Sequence, residues 1–181
     1  MIPPGTYDFG PSEATLRLHT TRQGMAKKVG HDLVLEVGNW KATVTVGDDI
    51  SSSSLTASAD TTSIRVVSGT GGAKPLSDGD RKDIEKNLND KVLKTSQFPE
   101  ITFRSTRVEG TETRATVHGD LTIMGKTNPA QMEITLDAGK ATAQMTVVQT
   151  QWGIKPFSAL MGALKLSDPV QVVAEAKVPQ G

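Results

Sequence analysis

The chain has no cysteine in its 181 residues. That excludes disulfides, thiolate nucleophiles and Cys-based zinc sites, and leaves the redox compartment open. Aromatic residues are only 4% of the chain, and twenty basic residues offset twenty acidic ones, for a net charge of zero. No basic stripe and no run of stacking platforms stands out, so nucleic acid is not expected as a partner. A membrane-surface role through a polybasic patch is not expected either. Nowhere do eighteen apolar residues run together, so no integral membrane span is expected. The N-terminus, Met1-Ile2-Pro3-Pro4-Gly5, lacks the basic and apolar regions of a signal peptide. Read as a complete chain, it is expected in the cytoplasm. Hydrophobic content is low at 36%, yet the apolar residues are periodic, which argues for a folded chain rather than a disordered one.

The length suits one domain spanning 1–181. Period-two alternation predicts strands over 15–21, 32–38, 40–46, 54–60, 100–108, 114–124, 129–136, 141–149 and 169–178. The shift of face at Gly38-Asn39 reads as a turn or bulge. Ser63 to Val67 adds a short apolar segment, and Ser68 to Pro75 reads as Gly-rich loop. One helix is predicted over about 78–94. Ser77 and Asp80 form a capping-box-like pair, Ile84, Leu88 and Val92 make one stripe, and Phe98-Pro99 ends it. Arg81 and Glu85 read as an i, i+4 pair on its outer side. Such a helix either plugs a barrel or lids a ligand mouth. No internal repeat is present.

The most specific stretch is 98–127. Phe98-Pro99-Glu100-Ile101-Thr102-Phe103-Arg104-Ser105 precedes Gly119-Asp120-Leu121-Thr122-Ile123-Met124-Gly125-Lys126-Thr127. Gly125 fits a positive-φ turn position. These segments, with Tyr7-x-Phe9, Trp152-Gly153-Ile154 and Asp168-x-Val170-x-Val172, resemble the YceI-like family of polyisoprenoid-binding, lipocalin-like proteins. The resemblance covers nearly the whole chain. It implies an all-β fold, a lipocalin-like eight-stranded antiparallel β-barrel with one inserted α-helix, which holds a long apolar ligand and performs no chemistry. One of the nine runs would then be split by a bulge. Relatives often carry a His-Ser pair where this chain has Gly10-Pro11-Ser12, and Arg and Asp where it has Gln149 and Gln151. Those changes put head-group recognition, not the barrel, in question. The segment Pro156 to Leu164 is also longer than in typical relatives.

Chemistry finds little support. The histidines His19, His31 and His118 share no ligand spacing, so no metal site is expected. His19 and His118 fall on polar faces. His31 shares the Leu33/Leu35 face and would reach either a polar head group or a backbone carbonyl at the barrel rim. Ser51 to Ser54 are turn-formers, no Gly-x-Ser-x-Gly occurs, Gly69 to Gly72 lacks the order of a phosphate loop, and the paired aspartates lack a calcium loop's ligand count. No catalytic residue is assigned, no cofactor is expected beyond a co-purifying isoprenoid or lipid, and an enzyme acting on a lipid is the weakest reading.

The best functional element is the loop at about 152–166, too broken by Gly and Pro for a strand but rich in large apolar side chains. Left in water, each forgoes about 1.5–3 kcal/mol. It lines a ligand mouth, packs in the core, or forms a homodimer seam, with the mouth preferred. Small inward candidates such as Ala42, Ala57, Ala59, Ala115, Gly119, Ala141 and Ala143 leave room inside a barrel. The residues expected to touch a ligand are Leu33, Leu35, Val37, Trp40, Phe103, Leu121, Ile123, Met132, Ile134 and Met145 on the strands. On the loop they are Trp152, Phe157, Leu160, Met161 and Leu164. The expected function is a non-enzymatic carrier for a polyisoprenoid, isoprenoid quinone or fatty lipid or amide. The alternative is a structural barrel with a self-filled core that recruits a partner through the 152–166 loop.

Overall fold

The computed structural model describes residues 2–178. Its strands are β1 (Gly5–Phe9), β2 (Ala14–Thr20), β3 (Arg22–Gln23), β4 (His31–Val37), β5 (Trp40–Val46), β6 (Ser54–Asp60), β7 (Ile64–Gly71), β8 (Glu100–Gly110), β9 (Arg114–Ile123), β10 (Lys126–Asp137), β11 (Lys140–Val148), β12 (Ser158–Ala159), β13 (Leu164–Leu166) and β14 (Pro169–Lys177). One α-helix, α1 (Asp78–Asn87), runs on through a π-helical turn at Leu88–Val92.

Eleven strands make one curled antiparallel sheet in the order β1-β5-β6-β8-β9-β10-β11-β14-β2-β4-β7, and β12-β13-β3 form a small second sheet. This is the lipocalin-like β-rich architecture with one inserted helix, although its strand count exceeds eight. The additions have simple causes. β1 is too short to stand out by alternation. β7 runs through Ser68 to Gly71, which reads as loop in the sequence because glycine supplies no apolar signal. The 152–166 segment, expected to hold no strand, forms β12 and β13, because their few residues pair with β3 rather than alternate. The edge strands β1 and β7 share no ladder among the described residues. The Gly38-Asn39 corner is tied across instead: Gly38 N–H donates to Ser63 O at 3.1 Å and Asp60 N–H to Asn39 O at 2.9 Å.

The family-like stretches each have a structural task. Met124 (φ 50°) and Gly125 (φ 74°) form a two-residue hairpin turn between β9 and β10. Its positive φ values match strand twist. Gly119 lies under Phe103; a Cβ there would fall 2.5 Å from the Phe103 Cζ and 2.4 Å from Arg104 O. Ser105 Oγ accepts from Leu55 N–H at 2.8 Å and extends the β6–β8 join past its ladder. Trp152, 3% exposed, donates its indole N–H to Leu121 O at 2.9 Å. Asp168 accepts from Thr150 N–H at 2.9 Å, which holds the turn before Gly153.

Helix α1 carries the expected capping box between Ser77 and Asp80. The expected outer Arg81–Glu85 pair is not what these side chains do. Arg81 donates to Val66 O (3.1 Å) and Val67 O (2.6 Å), and Glu85 accepts from Val66 N–H (2.9 Å). Edge strand β7 leaves those backbone groups unpaired, and the helix satisfies them while covering the edge.

Candidate functional site

Inside the curled sheet lies a cavity of about 750 Å³. Strand alternation builds its wall: one face of β4 supplies Leu33, Leu35 and Val37, β9 supplies Leu121 and Ile123, and β11 supplies Met145 and Val147. Small residues Ala42, Ala57, Ala59 and Ala143 also line it, and they are why it stays open. Ile84, Leu88 and Val92 roof it. The helical stripe therefore covers the space rather than filling it.

The wall's deep polar groups are paired within the protein. Gln149, 8% exposed, gives its amide N–H to Ser167 O (3.1 Å) and Asp168 O (3.2 Å). Thr61 Oγ donates to Phe98 O at 2.9 Å, and Thr20 Oγ accepts from Leu33 N–H at 3.3 Å. Trp40 differs. Its indole nitrogen is the one buried side-chain polar atom without a hydrogen-bond partner among the described residues. An orphaned buried donor costs about 1–3 kcal/mol. Trp40→Phe keeps most of the ring and drops the donor, so the protein without ligand should melt at or slightly above the wild-type temperature. A drop of several degrees in thermal unfolding would show that the N–H has a partner after all.

Polar and charged lining gathers at one end: Arg22 from β3, His31 from the start of β4, Lys74, Asp80 and Asp83 around the start of α1, and Lys165 from β13. His31 Nε2 bonds to Lys74 O at 2.7 Å, so of its two readings the backbone carbonyl is the partner found. Arg22 donates to Gly30 O and to Thr70 O. The Ser77 backbone N–H and hydroxyl hold the Asp80 carboxyl below the ordinary carboxylate range. His118 is away from the cavity and bonds Glu109 at 2.8 Å; that bond and Arg107 hold the Glu109 carboxyl below its ordinary range. Among the described residues no group of three His, Asp or Glu side chains is placed to hold a metal ion.

Of the residues named from the sequence, Leu33, Leu35, Val37, Trp40, Phe103, Leu121, Ile123, Met132, Met145, Phe157 and Leu164 line this one cavity. Ile134 packs against the core outside the lining, and Trp152 is buried in contact with the back of β9. Leu160 (59% exposed) and Met161 (107% exposed) face solvent. The sequence reading missed Leu16 and Leu18 on β2 and Val170 and Val172 on β14 as lining. Their alternation was legible; which face turned inward was settled by β2 joining β14 to β4. The Ile84-Leu88-Val92 stripe was also visible, but not that it closed a space.

Set against known proteins, the sequence matches the YceI-like domain over residues 7–178. The fold is similar to that of BcnA from Burkholderia cenocepacia, with a TM-score of 0.65, 15% identity, and coverage of 90% of this chain and 94% of that one. It is also similar to the YCEI protein of Campylobacter jejuni, with a TM-score of 0.60, 12% identity, and coverage of 81% and 84%. No curated protein matches the sequence. The chain belongs to the YceI-like domain family.

Proposed function

We propose that this YceI-like chain is a non-catalytic carrier that holds one long apolar ligand, a polyisoprenoid, an isoprenoid quinone or a fatty lipid or amide, inside its barrel. The observation that carries the reading is the roofed cavity of about 750 Å³, walled by apolar side chains. Its volume lies within the range of about 300–1,000 Å³ common for ligand sites. A hydrocarbon chain gains about 0.8 kcal/mol for each methylene it buries, so affinity needs no polar anchor along the wall. A polar ligand would lose its hydration there to groups already bonded to one another. Family membership supports the same reading. The rival, a self-filled barrel that serves only to recruit a partner, leaves a cavity of this size without a purpose.

Two measurements test the proposal together. Mass spectrometry of an organic extract of the purified protein is expected to find a long-chain lipid. The stripped protein is expected to bind a fluorescent apolar probe saturably at one site, with competition by a long-chain isoprenoid. A folded, stripped protein with no saturable probe binding would sink the carrier reading.

A further inference from the structure

Two loops far apart in sequence meet at one end of the barrel. β3 pairs with β13. Ala26 N–H donates to Ala163 O at 2.9 Å, and a Cβ on Gly30 would fall 2.5 Å from Leu164 Cδ1. Five large hydrophobic residues are exposed among those described, and four lie on these loops: Met25 (95%), Val29 (48%), Leu160 (59%) and Met161 (107%). Leu160 and Met161 hold φ values of 51° and 54°, a region side chains with a Cβ occupy only at a cost. That backbone turns two apolar side chains to solvent rather than inward.

Charge on the same loops has one sign. Residues 22–30 and 153–166 contain Arg22, Lys27, Lys28, Lys155 and Lys165 and no acidic residue, in a chain whose net charge is zero. None of the four lysines is in an ion pair among the described residues. Neither segment is polybasic alone, which is why the sequence gives no sign of a basic patch; the β3–β13 ladder brings them together. Val29, Gly30, Phe157, Leu164 and Lys165, at the base of these loops, line the cavity.

We propose that this tip docks on an anionic lipid bilayer. Its methionines, Val29 and Leu160 enter the headgroup boundary, while its lysines lay their stems on the apolar surface and their ammonium groups against lipid phosphates. Docking would set the charged end of the cavity on the membrane, so that an apolar ligand passes between bilayer and barrel without crossing water. That last step rests on the carrier reading; the docking itself does not. A bilayer fits better than a protein partner, because flexible methionines and lysines of one charge sign suit a fluid anionic surface. They offer few fixed polar groups for specific pairing.

The test is co-sedimentation of the full chain with vesicles of phosphatidylcholine alone or with added phosphatidylglycerol, at low and high salt. Probe binding in vesicle-free buffer runs alongside. Binding is expected to need phosphatidylglycerol and to fall with salt. Lys27→Glu with Lys28→Glu should weaken it by roughly 30-fold or more. Leu160→Asn with Met161→Asn should weaken it at least about tenfold, since both leave the interface; asparagine tolerates the positive φ, so the fold is spared. Both double variants should keep the wild-type melting temperature and probe affinity. Wild-type protein that ignores anionic vesicles, or variants that bind them as well as wild type, would overturn the docking and leave the carrier reading standing. A tip variant that changes the elution volume of the protein alone would assign the surface to a second copy and also overturn it. Vesicle binding without any probe binding would uphold docking and remove the carrier reading.

Discussion

Replacing Trp152 by alanine should destabilise the protein by about 3–5 kcal/mol, the range for removing a large buried aromatic side chain. For a chain of this size that corresponds to a fall of roughly 6–20 °C in melting temperature. Two losses add. The indole is 3% exposed, so its removal opens a void beneath β9. Its N–H bond to Leu121 O at 2.9 Å also goes, and that carbonyl lies on the strand that supplies Leu121 and Ile123 to the cavity wall. Trp152→Phe separates the terms: it keeps most of the apolar area, drops the bond, and should cost nearer 1 kcal/mol. Urea and thermal melts of both variants check this. A Trp152→Ala protein that melts like wild type would mean that the turn at 149–153 is not tied into the core.

Much of this fold was legible because antiparallel strands with one buried face write their structure as alternation. β9, with Ala115, Val117, Leu121 and Ile123 all buried on one face, is the clearest case. The capping box of α1 was legible for a related reason, since Ser77 and Asp80 act on each other and on nothing distant. What stayed hidden depends on contacts between remote segments. Arg81 and Glu85 have the spacing of a helical ion pair, yet an unpaired strand edge offered better partners. β12 and β13 are too short for any period and exist because β3 is beside them. The same holds for the site. Leu33, Leu35, Phe103 and Leu121 line the cavity as alternation implies, but Leu160 and Met161, grouped with them by composition, turn outward because their backbone adopts positive φ. Hydrophobicity says that a side chain needs cover; it does not say which way the chain turns.

Filling the cavity should abolish ligand binding while leaving the fold intact. Ala57 on β6 and Ala143 on β11 both line it, and β8, β9 and β10 stand between their strands, so they face the space from different walls. Phenylalanine at both positions would occupy volume now open. Every methylene of a ligand kept out costs about 0.8 kcal/mol, so a ligand that loses room for about four of them should bind roughly 200-fold more weakly. Stability should hold or rise, because each new ring finds wall atoms to touch where there was space. Overpacking is the competing outcome, at about 1–3 kcal/mol if a ring is forced against its neighbours. The single variant Ala143→Phe guards against it, with half the added volume and an intermediate loss of affinity. Probe titration, competition by a long-chain isoprenoid and thermal melts should be run on all three proteins. Graded loss of binding at constant melting temperature would place the ligand between β6 and β11. Well-folded variants with wild-type affinity would mean that the probe binds elsewhere, and the barrel interior would no longer stand as the ligand site.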